Sequence, residues 1–198
     1  MTDALTAERI PPVSLALYGR DFDAFAQALG ASFARYGFAV VADHDLPPAL
    51  TQDALSQTKA FFALPDAVKR RYHTPGGAGQ RGYTPFGVEA AKDAQSVDLK
   101  EFWHMGRELP PGHPHSAIMP DNLWPAEVPG FRPAVGGLYA GLDALGGKIL
   151  SALAHYLRLD EGFFEDPVRD VNSVLRLLHY PPVPVDAPGV RAGAHEDI

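Results

Sequence analysis

The sequence contains no cysteine. That absence excludes disulfides, thiolate metal sites and a cysteine nucleophile, so any metal must be held by His and carboxylate groups. It has no run of about 18 apolar residues, so no membrane-spanning helix is expected. The opening Met1-Thr2-Asp3-Ala4-Leu5 lacks a basic stretch followed by an apolar one, so no secretory signal is expected either. Long runs of Lys and Arg are missing and the formal net charge is −7, which argues against a nucleic-acid surface. The densest basic patch, Lys69-Arg70-Arg71, reads as a solvated helix end. What is present is ordinary: 46% apolar and 21% charged residues over 198 positions suit one globular domain, not a disordered chain. A cytoplasmic enzyme or binding protein is the expectation.

Along the chain, Ile10-Pro11-Pro12-Val13-Ser14-Leu15 reads as an extended opening strand, confined to an edge by its prolines. Phe22, Phe25, Ala26, Leu29 and Phe33 recur at helical spacing, with Asp21 as cap and Gly37 as stop. Phe38 to Val41 predicts a short buried strand. Leu50 to Phe62 predicts a helix with Leu55, Thr58, Phe61 and Phe62 on one side, and a shorter helix follows from Pro65 to Tyr72. Pro75 to Gly87 (PGGAGQRGYTPFG) reads as a loop. Its glycines lack the Gly-Lys-Ser/Thr ending of a phosphate-binding loop.

A strand is expected from Asp98 to His104, a second loop from Pro110 to Pro129, and a long helix from Phe131 to Leu157. The five glycines of that helix suggest packing against something flat, such as a sheet. Ser173 to Tyr180 and Val190 to Ile198 read as strands. Helices mostly first and strands near the end indicate an α+β fold.

The strongest chemical candidate is His195-Glu196-Asp197. On a strand, residues two apart share a face, so His195 and Asp197 can present a nitrogen and an oxygen to one ion. With a third ligand they would complete a two-histidine, one-carboxylate triad that leaves positions open on iron(II).

A series of segments resembles the isopenicillin N synthase-like oxygenases, in family order. They are Ile10 to Leu15; Tyr36-Gly37-Phe38 through His44; Phe61-Phe62-Ala63-Leu64-Pro65; Gly82-Tyr83; Asp98-Leu99-Lys100-Glu101-Phe102; Leu175 to Pro182; and Ala194-His195-Glu196-Asp197-Ile198. The resemblance implies a helical N-terminal region (residues 1–115), then a long helix and the first strands of a double-stranded β-helix, or jelly-roll, core (residues 116–198). It implies iron(II) held by His195 and Asp197, with 2-oxoglutarate as cosubstrate beside Tyr180. Tyr83, Phe102 and Trp103 match regions that line substrate pockets. Leu178 stands where the family commonly has an asparagine, which weakens the cosubstrate contact.

The activity implied is oxidation of a small-molecule C–H bond by O2, with succinate and CO2 as coproducts. The family places its second metal histidine and an Arg-x-Ser beyond the His-x-Asp segment. The core is therefore expected to be incomplete in this chain, cut just after the first two ligands. Two alternatives stay open: an iron-dependent oxidase of the same family that does not use 2-oxoglutarate, or a non-catalytic binding module if the protein ends at Ile198.

Overall fold

The computed structural model describes residues 9–77, 79–89, 97–184 and 190–191. It divides into two compact units, each discontinuous in sequence: Met1–Pro48 with Ala140–Arg169, and Ala49–Tyr139 with Asp170–Ile198. The architecture is α+β. No described helix is long and apolar enough to cross a membrane.

In the first unit, β1 (Pro12–Ser14) pairs in parallel with β2 (Val40–Ala42). Between them runs α1 (Phe22–Tyr36). Both ends of α1 stop where the sequence says they should. The Asp21 carboxylate accepts the Ala24 N–H at 3.0 Å, which satisfies an otherwise orphaned donor. Gly37 takes φ +72°, a left-handed cap open to glycine without steric cost. The apolar stripe of α1 buries Phe25, Ala26 and Leu29 with Val13, Leu15 and Ala152. Ala152 comes from α4 (Phe131–Tyr156), and α5 (Glu165–Arg169) completes the unit. Phe38 and Val40 are exposed, so the strand expected to be buried here is not. A two-stranded sheet covers only one side of so short a segment.

The second unit carries α2 (Pro48–Phe62), α3 (Asp66–Lys69) and an antiparallel sheet in the order β3-β4-β5. The strands are Gly82–Thr84, Glu101–Gly106 and Val174–His179. Tyr83 lies opposite Trp103, which lies opposite Leu177. A core of Phe61, Phe62, Tyr83, Trp103, Met105, Val128, Phe131, Val135 and Leu177 fills one side of the sheet. Phe61 is its hub. Its ring meets Trp103 edge-on at 4.7 Å, Phe62 at 5.4 Å and Tyr83 at 5.8 Å, each worth about 0.5–1.5 kcal/mol beyond burial.

Several expectations are corrected here. Strand β3 lies inside the stretch expected to be loop; its pairing with β4 supplies the order that its Gly-rich flanks do not. Ala54, not Leu55, belongs to the buried face of α2, and Leu55 is exposed. Strands β1 to β4 all precede α4, so helices and strands interleave. Four of the five glycines of α4 do not lie on a sheet: Gly137 meets Leu50 of α2, and Gly136, Gly146 and Gly147 face open space. The strand expected from Val190 to Ile198 lies outside the described residues except at its start. There Val190 bridges Asp98 in parallel and its carbonyl accepts the Leu99 N–H at 2.7 Å.

Candidate active site

Alternation along β4 and β5 sorts the side chains of the second unit onto two faces. Tyr83, Glu101, Trp103, Met105, Leu175, Leu177 and His179 share the first face. Thr84, Phe102, His104, Arg176 and Leu178 share the second.

The first face holds a buried carboxylate. Glu101 is 3% exposed. Lys69 donates to its Oε2 at 2.7 Å, the Tyr83 hydroxyl donates to the same oxygen, and His179 Nδ1 donates to Oε1 at 2.7 Å. Burial alone would raise the pKa of Glu101, but the bonds from Lys69, Tyr83 and His179 outweigh it and hold the carboxyl below its ordinary value. Burial, then the neighbouring carboxylate, pushes the Tyr83 phenol up. Phe62 stacks on the His179 ring at 4.9 Å. Lys69, expected to be solvated, is instead 8% exposed and its ammonium sits 5.4 Å from the Tyr83 ring. The signal that could have found this pair is parity. Glu101 shares a strand face with Trp103, and an acid there needs a buried cation.

The second face is cationic. His104 is 7% exposed; its Nδ1 donates to the Gly79 carbonyl, and its Nε2 accepts from Arg176 Nε at 2.6 Å. That pattern requires the neutral imidazole. Burial, with the charges of Arg176 and Arg81, holds the pKa of His104 down, against the opposing Gly79 bond and Glu89 charge. The Arg176 guanidinium lies 4.6 Å from the Phe102 ring centroid and pairs with Glu89 at 3.3 Å. Glu89 also pairs with Lys100, which Asp98 holds at 2.8 Å on its other side. Arg81 is 5% exposed and lies against Gly106, where any added Cβ would collide with its guanidinium. It donates to the Gln80 carbonyl and to Asn172 Oδ1, and its Nε has no partner among the described residues. The Thr84 hydroxyl is also buried without a partner.

The residues expected to form the site fall in different places. Tyr83 and Trp103 are on the first face inside the core, and Phe102 is on the second. Tyr180 follows β5 directly and is half-buried; its carbonyl accepts from Arg191 at 3.4 Å. His195 and Asp197 lie outside the described residues. Among the described residues no group of three or more His, Asp or Glu side chains could hold a metal ion. His104 is engaged at both nitrogens, by Gly79 and Arg176, and His179 is held at Nδ1 by Glu101.

The chain resembles several known proteins. Over 168 residues it is 34% identical to proline hydroxylase buaE of Petromyces alliaceus, covering 81% of this chain and 50% of that one. A 2OG-Fe(II) oxygenase family protein from Caulobacter crescentus is 60% identical and superimposes with a TM-score of 0.87, covering 96% of this chain and 61% of that one. A full-length Neurospora crassa protein, solved with alpha-KG and thymine bound, is 26% identical with a TM-score of 0.79, over 95% of this chain and 62% of its own. The chain thus spans about half the length of curated relatives it matches. Residues 10–127 match the family described as non-haem dioxygenase in morphine synthesis, N-terminal, and the chain belongs to this family of oxygenases.

Proposed function

We propose that this chain is part of an iron(II)- and 2-oxoglutarate-dependent oxygenase that oxidises a C–H bond of a small molecule with O2, in the cytoplasm, a setting its lack of cysteine suits. The sheet β3-β4-β5 would be the start of a double-stranded β-helix. Residues 1–115 would form the N-terminal region and 116–198 the long helix and first core strands. The observation that carries the reading is the sheet register at Asp98 and Leu99. The chain reaches Val190 in parallel with the approach to β4, five positions before His195. The His-Glu-Asp segment would then continue beside the sheet whose second face holds Phe102, His104 and Arg176. The curated relatives named 2-oxoglutarate-dependent dioxygenases support the same cosubstrate, and so favour it over an oxidase that needs no keto acid.

His195 and Asp197 offer one imidazole nitrogen and one carboxylate oxygen, a donor set that suits iron(II) and needs a third protein ligand. Bound together, iron(II) and 2-oxoglutarate supply oxidative decarboxylation of the keto acid to succinate and CO2, coupled to substrate oxidation. The chain's own residues do the positioning. Alternation past β5 carries Tyr180 toward the second face, where it would contact the cosubstrate. Phe102 would pack against the substrate, and Tyr83 and Trp103 would hold the sheet from beneath. The buried aromatic side chains around them would exclude water from a reactive site.

The test is His195→Ala in the full-length protein. Substrate-coupled succinate formation should be lost. Succinate formed at the unaltered rate would sink the assignment.

A further inference from the structure

The charges on the second face of the sheet do not balance. Among the described residues, three cations gather there, Lys100, Arg176 and Arg81, with two carboxylates, Asp98 and Glu89. Both carboxylates are spent on Lys100, and Glu89 is shared with Arg176. Arg81 has no carboxylate partner among the described residues. A guanidinium taken out of water without a counter-ion is costly, and such a cost is kept where an anion completes the site.

Three donors on this face lack acceptors. Among the described residues the buried Nε of Arg81 has no partner, and neither has the hydroxyl of Thr84. Arg176 uses Nε on His104 and Nη1 on Glu89, and its Nη2 has no partner among the described residues. The donors are strung along one face of the sheet, Arg81 at Gly106, Arg176 opposite His104, and Thr84 opposite Phe102. Gly106, under the Arg81 guanidinium, is two residues beyond His104 on the same face. His104 faces Arg176 across the sheet. The Thr84 oxygen and the Phe102 ring flank the same point beside Gly79, at 3.0 and 3.7 Å from where a Cβ would stand.

His104 cannot neutralise this patch. It is held as a neutral acceptor, which fixes Arg176 in place and leaves its charge intact. Around the cations lie exposed apolar side chains: Leu178 at 45% and Val174 at 42% exposure. The Arg176 side chain is 40% exposed, so a ligand can reach it.

We propose that the second face is a carboxylate-binding subsite for the primary substrate, an apolar or aromatic carboxylic acid. Its carboxylate takes Arg176 Nη2 as principal donor with the Thr84 hydroxyl beside it, Arg81 adds positive charge further along the face, and its apolar body lies by Phe102 and Leu178. This deepens the oxygenase reading and rests on it for the word substrate. The same chemistry could be met by a carboxylate of 2-oxoglutarate, and the experiment separates the two.

Benzoate is titrated calorimetrically into the full-length protein, with benzamide as the uncharged match, each with and without saturating 2-oxoglutarate. Benzoate should bind at least about tenfold more tightly than benzamide, and Arg176→Gln should remove that preference. Saturating 2-oxoglutarate should leave benzoate affinity within about twofold. Equal binding of benzoate and benzamide, no binding of either, or full preference retained in R176Q overturns the subsite. Competitive displacement of benzoate by 2-oxoglutarate overturns its assignment to the substrate. Arg176 is partly exposed, so R176Q folds even if a variant at buried Arg81 does not; Thr84→Val, expected to weaken benzoate about threefold, is the second variant. Succinate formation that survives His195→Ala would sink the oxygenase reading while leaving the carboxylate preference standing, so the two failures are distinguishable.

Discussion

The two faces of one sheet solve the problem of buried charge in opposite ways. On the first, a single carboxylate, Glu101, collects three donors from α3, β3 and β5, so each of its charged groups has a partner, and the indole N–H of Trp103 is the one buried donor left over among the described residues. On the second, among the described residues, guanidiniums outnumber the carboxylates left to meet them, and two buried donors go without. A satisfied network fixes strands to one another, whereas an unsatisfied one costs stability that only a ligand can return. The same three strands thus carry a structural face and a face suited to recognition, separated by nothing more than the alternation of the pleat.

Substitution at Glu101 should break this contrast most severely. Glu101→Ala strands the Lys69 ammonium and the Tyr83 hydroxyl in the core and should cost about 3–5 kcal/mol in urea unfolding. The double variant Glu101→Gln with Lys69→Met should recover most of that loss, because no uncompensated charge remains.

Acid should separate the faces by pH. His104 is held below its ordinary 6.5 in the fold, so the unfolded chain takes up its proton first. The stability it contributes is full above pH 6.5 and is lost progressively below it, until the folded chain too takes up the proton. Glu101 lies below its ordinary 4.5, so its contribution is full above pH 4.5 and is lost below it. Urea midpoints should therefore fall in two steps. His104→Gln should erase the upper step alone; retention of that step would contradict the neutral imidazole.

The smallest effect is expected at Thr84. Thr84→Val removes a hydroxyl that has no partner among the described residues and should change unfolding stability by less than about 1 kcal/mol, in either direction. A loss of several kcal/mol would show that the hydroxyl is bonded after all, and the contrast between the faces would shrink.

What the sequence reveals follows from the range of the forces involved. The ends of α1 and α4 are legible because their signals are local: the Asp21 cap, the Gly37 stop and the three-four spacing from Phe131 onward. Strand β3 is not, because three residues among glycines are held by β4, about twenty positions away, and no local pattern announces that. Lys69 misleads for the same reason. Beside Arg70 and Arg71 it looks solvated, and only the position of Glu101, thirty-two residues on, makes it a core residue. The proposed metal site is legible only as donor types, His195 and Asp197, and as a resemblance. The balance of charge on the second face is not, since it depends on which of Arg81, Lys100 and Arg176 the fold leaves without an acid.

The interleaving of the two units bears on how the chain emerges from the ribosome. Phe25 and Leu29 of α1 bury themselves with Ala152 from the far half of α4. That residue is translated more than a hundred positions after α1 ends. At ordinary elongation rates of about 5–20 residues per second, the apolar stripe of α1 waits roughly 5 to 20 s for its partner. During that interval the nascent chain offers Phe22, Phe25 and Leu29 to whatever is near, so the first unit is the part of this protein most dependent on chaperones and least suited to expression in pieces.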